Sequence, residues 1–255
     1  TNDDVPPALK LIKSVINNNG GTASEQSWNL SASGPSGFSG KSGVSSDATF
    51  KQGEYTLSES GGPSGYTSKG WACTNGVNVT DGNKINLPLG KQTECTITND
   101  DDAPALTLIK QLVDNYNSGA KETDWTLTAT GPSVVSGTGT VVDNNIKAGD
   151  YSLDESSELW NDASYYSSWD CGEGVTMVDK VISIALGQAV TCTVTNTIKP
   201  AKLTIKKVVI NDAGGTAKAT DFTFKVNGVI PGNFEQTTSD PELGEKTLEL
   251  SAGTY

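Results

Sequence analysis

The chain carries nearly the same text twice and begins it a third time, and this periodicity constrains the fold more than any other feature. Cys95-Thr96-Ile97-Thr98-Asn99 is followed by Leu106-Thr107-Leu108-Ile109-Lys110. At a distance of 97 residues, Cys192-Thr193-Val194-Thr195-Asn196 is followed by Leu203-Thr204-Ile205-Lys206-Lys207. Thr98-Asn99-Asp100-Asp101 also matches the opening Thr1-Asn2-Asp3-Asp4. A period of 97 in 255 residues allows two whole units and part of a third, each whole unit long enough to bury a core. We expect residues 1–4 to close a preceding repeat, 5–101 and 102–198 to form repeats one and two, and 199–255 to form an incomplete third. On this reading the chain is a window cut from a longer array.

Within a unit the apolar residues alternate. Leu9, Leu11 and Val15 share one parity, as do Trp28, Leu30 and Ala32, then Tyr55 and Leu57, then Ile85 and Leu87, then Cys95 and Ile97. Side chains two apart in an extended chain share a face, so these runs are strands with one buried side. Between them stand turn-forming stretches: Asn17-Asn18-Asn19-Gly20-Gly21, Gly34-Pro35-Ser36, Gly61-Gly62-Pro63 and Asp81-Gly82-Asn83. Short strands at regular spacing predict an all-β chain of tandem immunoglobulin-like sandwiches. Joints as short as Asp100 to Ala105, with Pro104 inside, leave little slack, which predicts an elongated string.

Charge and composition exclude several functions. A net charge of −12 disfavours nucleic acid and anionic membranes as partners. No apolar run reaches the roughly 18 residues of a membrane span, so no membrane insertion is expected of this segment. Without histidine, neither a Ser-His-Asp nor a Cys-His site can be assembled, and enzymatic turnover is not expected. The four cysteines fall as Cys73 with Cys95 and Cys171 with Cys192, at separations of 22 and 21 and with no zinc-like spacing. Disulfides within each repeat are the simplest reading and point to an extracellular or cell-surface setting; buried free thiols are the alternative.

Parity also turns polar groups inward. Lys13 shares the face of Leu11 and Val15, Lys110 that of Leu108 and Leu112, and Lys207 that of Ile205 and Val209. Glu59 continues Tyr55-Leu57, Glu155 continues Tyr151-Leu153, Asn99 continues Cys95-Ile97, and Asn196 continues Cys192-Val194. Burial lowers a lysine pKa and raises that of a glutamate. A neutral lysine amine can attack the carboxamide carbon of an asparagine while a protonated glutamate polarises the carbonyl and shuttles protons. The product would be an isopeptide bond formed once, with loss of ammonia. The plainer alternative is an ion pair at the sandwich rim, with the asparagine capping a strand.

The ordered patterns Leu-x-Leu-Ile-Lys, Gly-x-Tyr-x-Leu-x-Glu-Ser and Thr-Val/Ile-Thr-Asn resemble the Cna B-type or SpaA-type domains, also called prealbumin-like, of bacterial pilins and surface adhesins. The resemblance covers both full repeats and the start of the third. It implies a fibre, pilus-like filament or adhesin stalk whose partners are neighbouring repeats or copies of itself. It also implies isopeptide bonds from Lys13 to Asn99 and from Lys110 to Asn196, with Glu59 and Glu155 as the catalytic carboxyls.

Two further features invite a ligand. Asp100, Asp101 and Asp102 offer hard oxygen atoms that would suit Ca²⁺ at the joint, although solvated linker charge is the commoner meaning; no other cofactor is expected. Between Glu155 and Trp169 the second repeat is two residues longer than the first and carries Trp160, Tyr165 and Tyr166. Such aromatic residues pack locally, meet another domain or subunit, or bind a glycan or host protein, which would make this an adhesin module.

Overall fold

The computed structural model describes residues 4–229, 231–236 and 238–255. Most of the expected tail of a preceding repeat, residues 1–3, lies outside them. The architecture is β throughout: three single 3-10 turns, at Glu25–Ser27, Glu122–Asp124 and Ala219–Asp221, are the helical elements among the described residues. Repeat one contains β1 (Ala8–Ile16), β2 (Trp28–Ser33), β3 (Phe38–Gly40), β4 (Gly53–Gly61), β5 (Tyr66–Cys73), β6 (Lys84–Leu87) and β7 (Gln92–Asp101). Repeat two contains β8 (Ala105–Val113), β9 (Thr126–Thr130), β10 (Val134–Thr138), β11 (Thr140–Asp143), β12 (Gly149–Ser156), β13 (Tyr165–Asp170), β14 (Met177–Val178), β15 (Val181–Ile184) and β16 (Ala189–Ile198). Repeat three contains β17 (Ala201–Val208) and β18 (Leu243–Leu250).

Repeat one is a two-sheet sandwich, with strand orders β1-β7-β5 and β3-β2-β4-β6. The first and last strands pair in parallel, from Ala8 opposite Gln92 to Ile16 opposite Asp100. On its other side β7 pairs antiparallel with β5, which bulges between Ser68 and Trp71. The alternation holds in the burial: Leu9, Leu11, Lys13, Cys95, Ile97, Asn99 and Asp101 all face inward. They meet Leu30, Ala32, Tyr55, Leu57, Ile85 and Leu87 from the opposite sheet, and Phe50 from the segment before β4. The covalent brace is placed here: β7 lies between both of its neighbours and carries Cys95 in its buried face.

By its internal contacts the chain divides into two compact units, and the division runs through repeat two. The first unit comprises residues up to Ile109 with Leu127–Glu155 and Cys171–Cys192; the second comprises Lys110–Thr126, Ser156–Asp170 and Thr193–Tyr255. In the first, β12 pairs antiparallel with β15, and β11 with β8. Loop 17–21 of repeat one also meets repeat two there: the Asn19 carbonyl accepts the N–H of Ala148 at 2.8 Å, and Gly20, at φ +97°, lies so close that a Cβ would meet the Ala148 carbonyl oxygen at 2.8 Å. In the second unit β13 pairs antiparallel with β16, and β17 with β18 over its whole length. The corresponding backbone contact recurs in that unit, with the Tyr116 carbonyl accepting the N–H of Ala252 at 2.8 Å.

Candidate functional site

Lys13 is the most constrained charge in the chain. Its side chain is fully buried, because the parity of β1 sends it to the face of Leu9 and Leu11. Its Nζ lies 2.6 Å from Oε2 of Glu59, whose side chain is 17% exposed where β4 leaves the core. Burial pushes the Lys13 amine below its ordinary value, and the hydrogen bond and negative charge of Glu59 only partly restore it. Asn99 sits on the adjacent strand, two residues past Ile97, the residue opposite Lys13. It is buried at 3% exposure, and its Oδ1 has no hydrogen-bond partner among the described residues. An unsatisfied buried amide oxygen costs about 1–3 kcal/mol, so this one is expensive to keep as an ordinary asparagine.

A further participant was not singled out from sequence. The Lys13 Nζ stands 4.6 Å from the centre of the Trp28 ring, Lys110 Nζ 4.9 Å from Trp125, and Lys207 Nζ 4.2 Å from Phe222. In every case the ring follows the lysine by 15 positions and comes directly after a 3-10 turn. That common spacing is the signal that would have found it. In repeat two, Lys110 and Asn196 are both buried, on β8 and β16, and Glu155 is half-buried near the end of β12.

Both cysteine pairs are disulfides. Cys73 and Cys95 stand opposite each other on β5 and β7, with Cα atoms 4.1 Å apart, and Cys171 joins Cys192 on β16 with Cα atoms 3.9 Å apart. No free cysteine is present among the described residues.

The aromatic insertion divides by parity. Tyr165 is buried and meets Trp125 edge-on at 5.6 Å, and Trp160 stacks on the same ring at 6.0 Å with its Nε1 donating to Asp124 at 3.1 Å. Tyr166, the next residue on β13, is 67% exposed and carries the Lys199 ammonium 4.4 Å above its ring. Of the alternatives for these three rings, Trp160 and Tyr165 follow the local-packing one, turned inward to cover Trp125.

The three joint aspartates likewise separate. Asp100 faces Lys69 at 3.3 Å, whereas Asp101 is buried as the last residue of β7. The Asp101 carboxylate accepts the backbone N–H groups of Asn18, Asn19 and Gly21 at 2.7–3.0 Å. Asp102 engages through its backbone, donating to Gly65 and accepting from Gly187. Among the described residues no group of three His, Cys, Asp or Glu stands where it could hold a metal ion.

A family model for prealbumin-like fold domains matches residues 4–97, 101–194 and 199–255. The chain belongs to this family. Its prealbumin-like domains thus stand three in tandem. No curated protein matches the chain. Among solved structures, the Bacillus anthracis TIE protein is similar over 96% of this chain and 44% of its own, at 15% identity and a TM-score of 0.50. The chain therefore spans less than half of that protein. A major pilin (T3.2) from Streptococcus pyogenes aligns over 74% of this chain and 97% of its own, at 14% identity and a TM-score of 0.37. A C-terminal fragment of the pilus adhesin SpaC from Lactobacillus rhamnosus GG aligns over 74% and 97%, at 13% identity and 0.39.

In this prealbumin-like setting the first repeat assembles a dry amine, a hydrogen-bonded carboxyl and a carboxamide on the neighbouring strand. Such a set can move a proton between amine and carboxyl without solvent, and can polarise a carbonyl.

Proposed function

We propose that this chain is a structural segment of a secreted bacterial surface fibre, pilus-like filament or adhesin stalk. Each of its two full domains would be braced by its disulfide and by one Lys–Asn isopeptide bond. The observation that carries the reading is the fully buried Lys13 amine, 2.6 Å from Glu59, on a strand paired in parallel with the one that holds Asn99. In the reaction Lys13 passes a proton to Glu59, and its neutral Nζ attacks Cγ of Asn99. The new C–N bond forms as the old one breaks; Glu59 returns its proton to the departing nitrogen and relays to it the second proton that the acylated Lys13 nitrogen sheds, so ammonia departs carrying that proton as ammonium. Glu59 ends unchanged, so one bond forms per domain and nothing turns over. By the repeat, Lys110, Glu155 and Asn196 are the corresponding residues in the second domain.

Such a bond joins the first strand of a domain to its last. A pull on the two ends of the domain would then load a covalent link instead of the β1–β7 ladder alone. The disulfides support an oxidising, extracellular setting, and the sequence resemblance to pilin and adhesin domains supports a filament whose partners are neighbouring repeats or further copies. The burial of Trp160 and Tyr165 gives the alternative of an aromatic binding loop no specific support. Intact mass under reducing conditions tests the reading: each isopeptide removes one ammonia, about 17 Da. A reduced mass equal to that of the unmodified chain would sink it.

A further inference from the structure

We propose that the ring 15 positions after the inward lysine, Trp28 in the first domain and Trp125 in the second, is a positioning residue of the crosslinking reaction. This rests on the isopeptide reading above and goes beyond it by giving a role to a residue outside the Lys-Glu-Asn set.

Three observations carry it. First, the pairing is built into the repeat. A 3-10 turn delivers a ring to the lysine at 4.2–4.9 Å in all three domains, and the third supplies Phe222 where the others have tryptophan. Second, both tryptophans are buried, at 2% and 0% exposure. Third, each is sealed from outside by an edge-on tyrosine at the same strand position and by a second cover that differs. Over Trp28 passes the bare backbone of Gly62, at φ +86°, where a Cβ would stand 2.2 Å from the indole Nε1, and Tyr66 abuts the ring edge-on at 5.5 Å. Over Trp125 lie Tyr165, the counterpart of Tyr66, edge-on at 5.6 Å, and Trp160, stacked at 6.0 Å from the longer segment before β13. A shared edge-on tyrosine, completed in each domain by a different second cover, keeps the ring dry and fixed.

The chemistry explains why a π face suits the position. Before reaction the amine arrives as an ammonium, and an aromatic face accepts a buried cation that an aliphatic wall would repel. Once Glu59 has taken a proton, an N–H of the neutral amine can still point at the ring. That arrangement directs the nitrogen lone pair away from the indole. The ring also fills the space through which water would reach the amine and restore its solvation.

The test compares Trp28→Phe with Trp28→Leu in the full chain, following ammonia loss with time by reduced intact mass and locating the crosslinked peptide after digestion. The bond in the second domain serves as an internal control. The Trp28→Phe chain should form the first-domain bond at close to the wild-type rate, and the Trp28→Leu chain roughly tenfold more slowly or worse. Formation of the Cys73–Cys95 disulfide and a cooperative melt show that each variant has folded. Trp125→Phe and Trp125→Leu provide the reciprocal pair should a first-domain variant fail to fold. If the leucine variant reacts as fast as the phenylalanine variant, or both fail equally while folded, the ring face has no special role and this inference falls while the isopeptide reading stands. If the wild-type chain shows no ammonia loss, both fall.

Discussion

The first and second domains surround the same lysine-facing tryptophan differently, and the difference shows what is fixed and what is free to vary. In the first, the cover is an absence of side chain: Gly62 lets backbone lie directly on Trp28. In the second it is an added side chain, Trp160, stacked on Trp125; the edge-on tyrosine, Tyr66 in one and Tyr165 in the other, is common to both. The loops after the first strand diverge in the same manner. In the first domain loop 17–21 is held by Asp101, a residue 80 to 83 positions away. In the second, Ile198 takes the place of Asp101, and loop 114–118 is held from within by Asp114, which accepts from Ser118 Oγ and from backbone N–H groups. The inner residues and the edge-on tyrosine recur, while the second cover and the acceptor that orders the loop do not.

Asp101 offers the sharpest way to break that comparison. Asp101→Ala would leave three inward N–H groups without their acceptor, and hydrogen bonds to a charged partner are worth about 1.5–3 kcal/mol each before relaxation. A net loss of about 3 kcal/mol is expected in chemical denaturation. Hydrogen exchange should quicken at Asn18, Asn19 and Gly21 and stay unchanged at Tyr116 and Ser118. Equal quickening in both loops would show that the two are not independently ordered.

The covers come next. Gly62→Ala forces a methyl group into the indole at a backbone angle that suits glycine, and should cost about 2 kcal/mol. Trp160→Ala removes one half-buried stacked ring from a cluster that retains Tyr165, and should cost about 1–2 kcal/mol. The reverse order in urea denaturation would mean that the insertion is the stronger seal. Tyr166→Ser should change stability by less than about 0.5 kcal/mol, because its ring lies on the surface.

Much of this was legible from residue order. Alternation placed Lys13, Asn99 and Lys110 on inward faces, and the structure buries all three. The same count, applied to Tyr165 and Tyr166, would have separated the inward ring from the outward one. Other features were beyond reach for physical reasons. Phe50 joins the core from a segment without alternation, so no period announced it. The Asp101 carboxylate looked like linker charge because its partners are backbone groups, which any sequence supplies. The ring over each lysine lies across the sandwich, and only the recurrence of one spacing in three repeats reveals the pair.

The smallest effect expected is a pH dependence confined to the second domain's loop. Partial burial pushes the Asp114 carboxyl up, but the hydrogen bonds from Ser118 Oγ and from the N–H groups of Tyr116, Ser118 and Gly119 together outweigh it and hold the group below its ordinary value. A carboxyl depressed in the folded state contributes stability that is fully present above its unfolded value, near 3.9, and is lost as pH falls through the folded value. Acidification from neutral to about pH 5 should therefore leave this contribution intact, and it should fade as pH drops below about 4. Asn17 occupies the equivalent place in the first domain, where it accepts from Tyr66 and donates to Ala23 without titrating. Asp114→Asn should thus lower the melting temperature at pH 6 and narrow its difference from wild type by pH 3. A difference of constant size across that range would show that the Asp114 charge does not order the loop, and that the two domains hold this loop by more similar means than their contacts suggest.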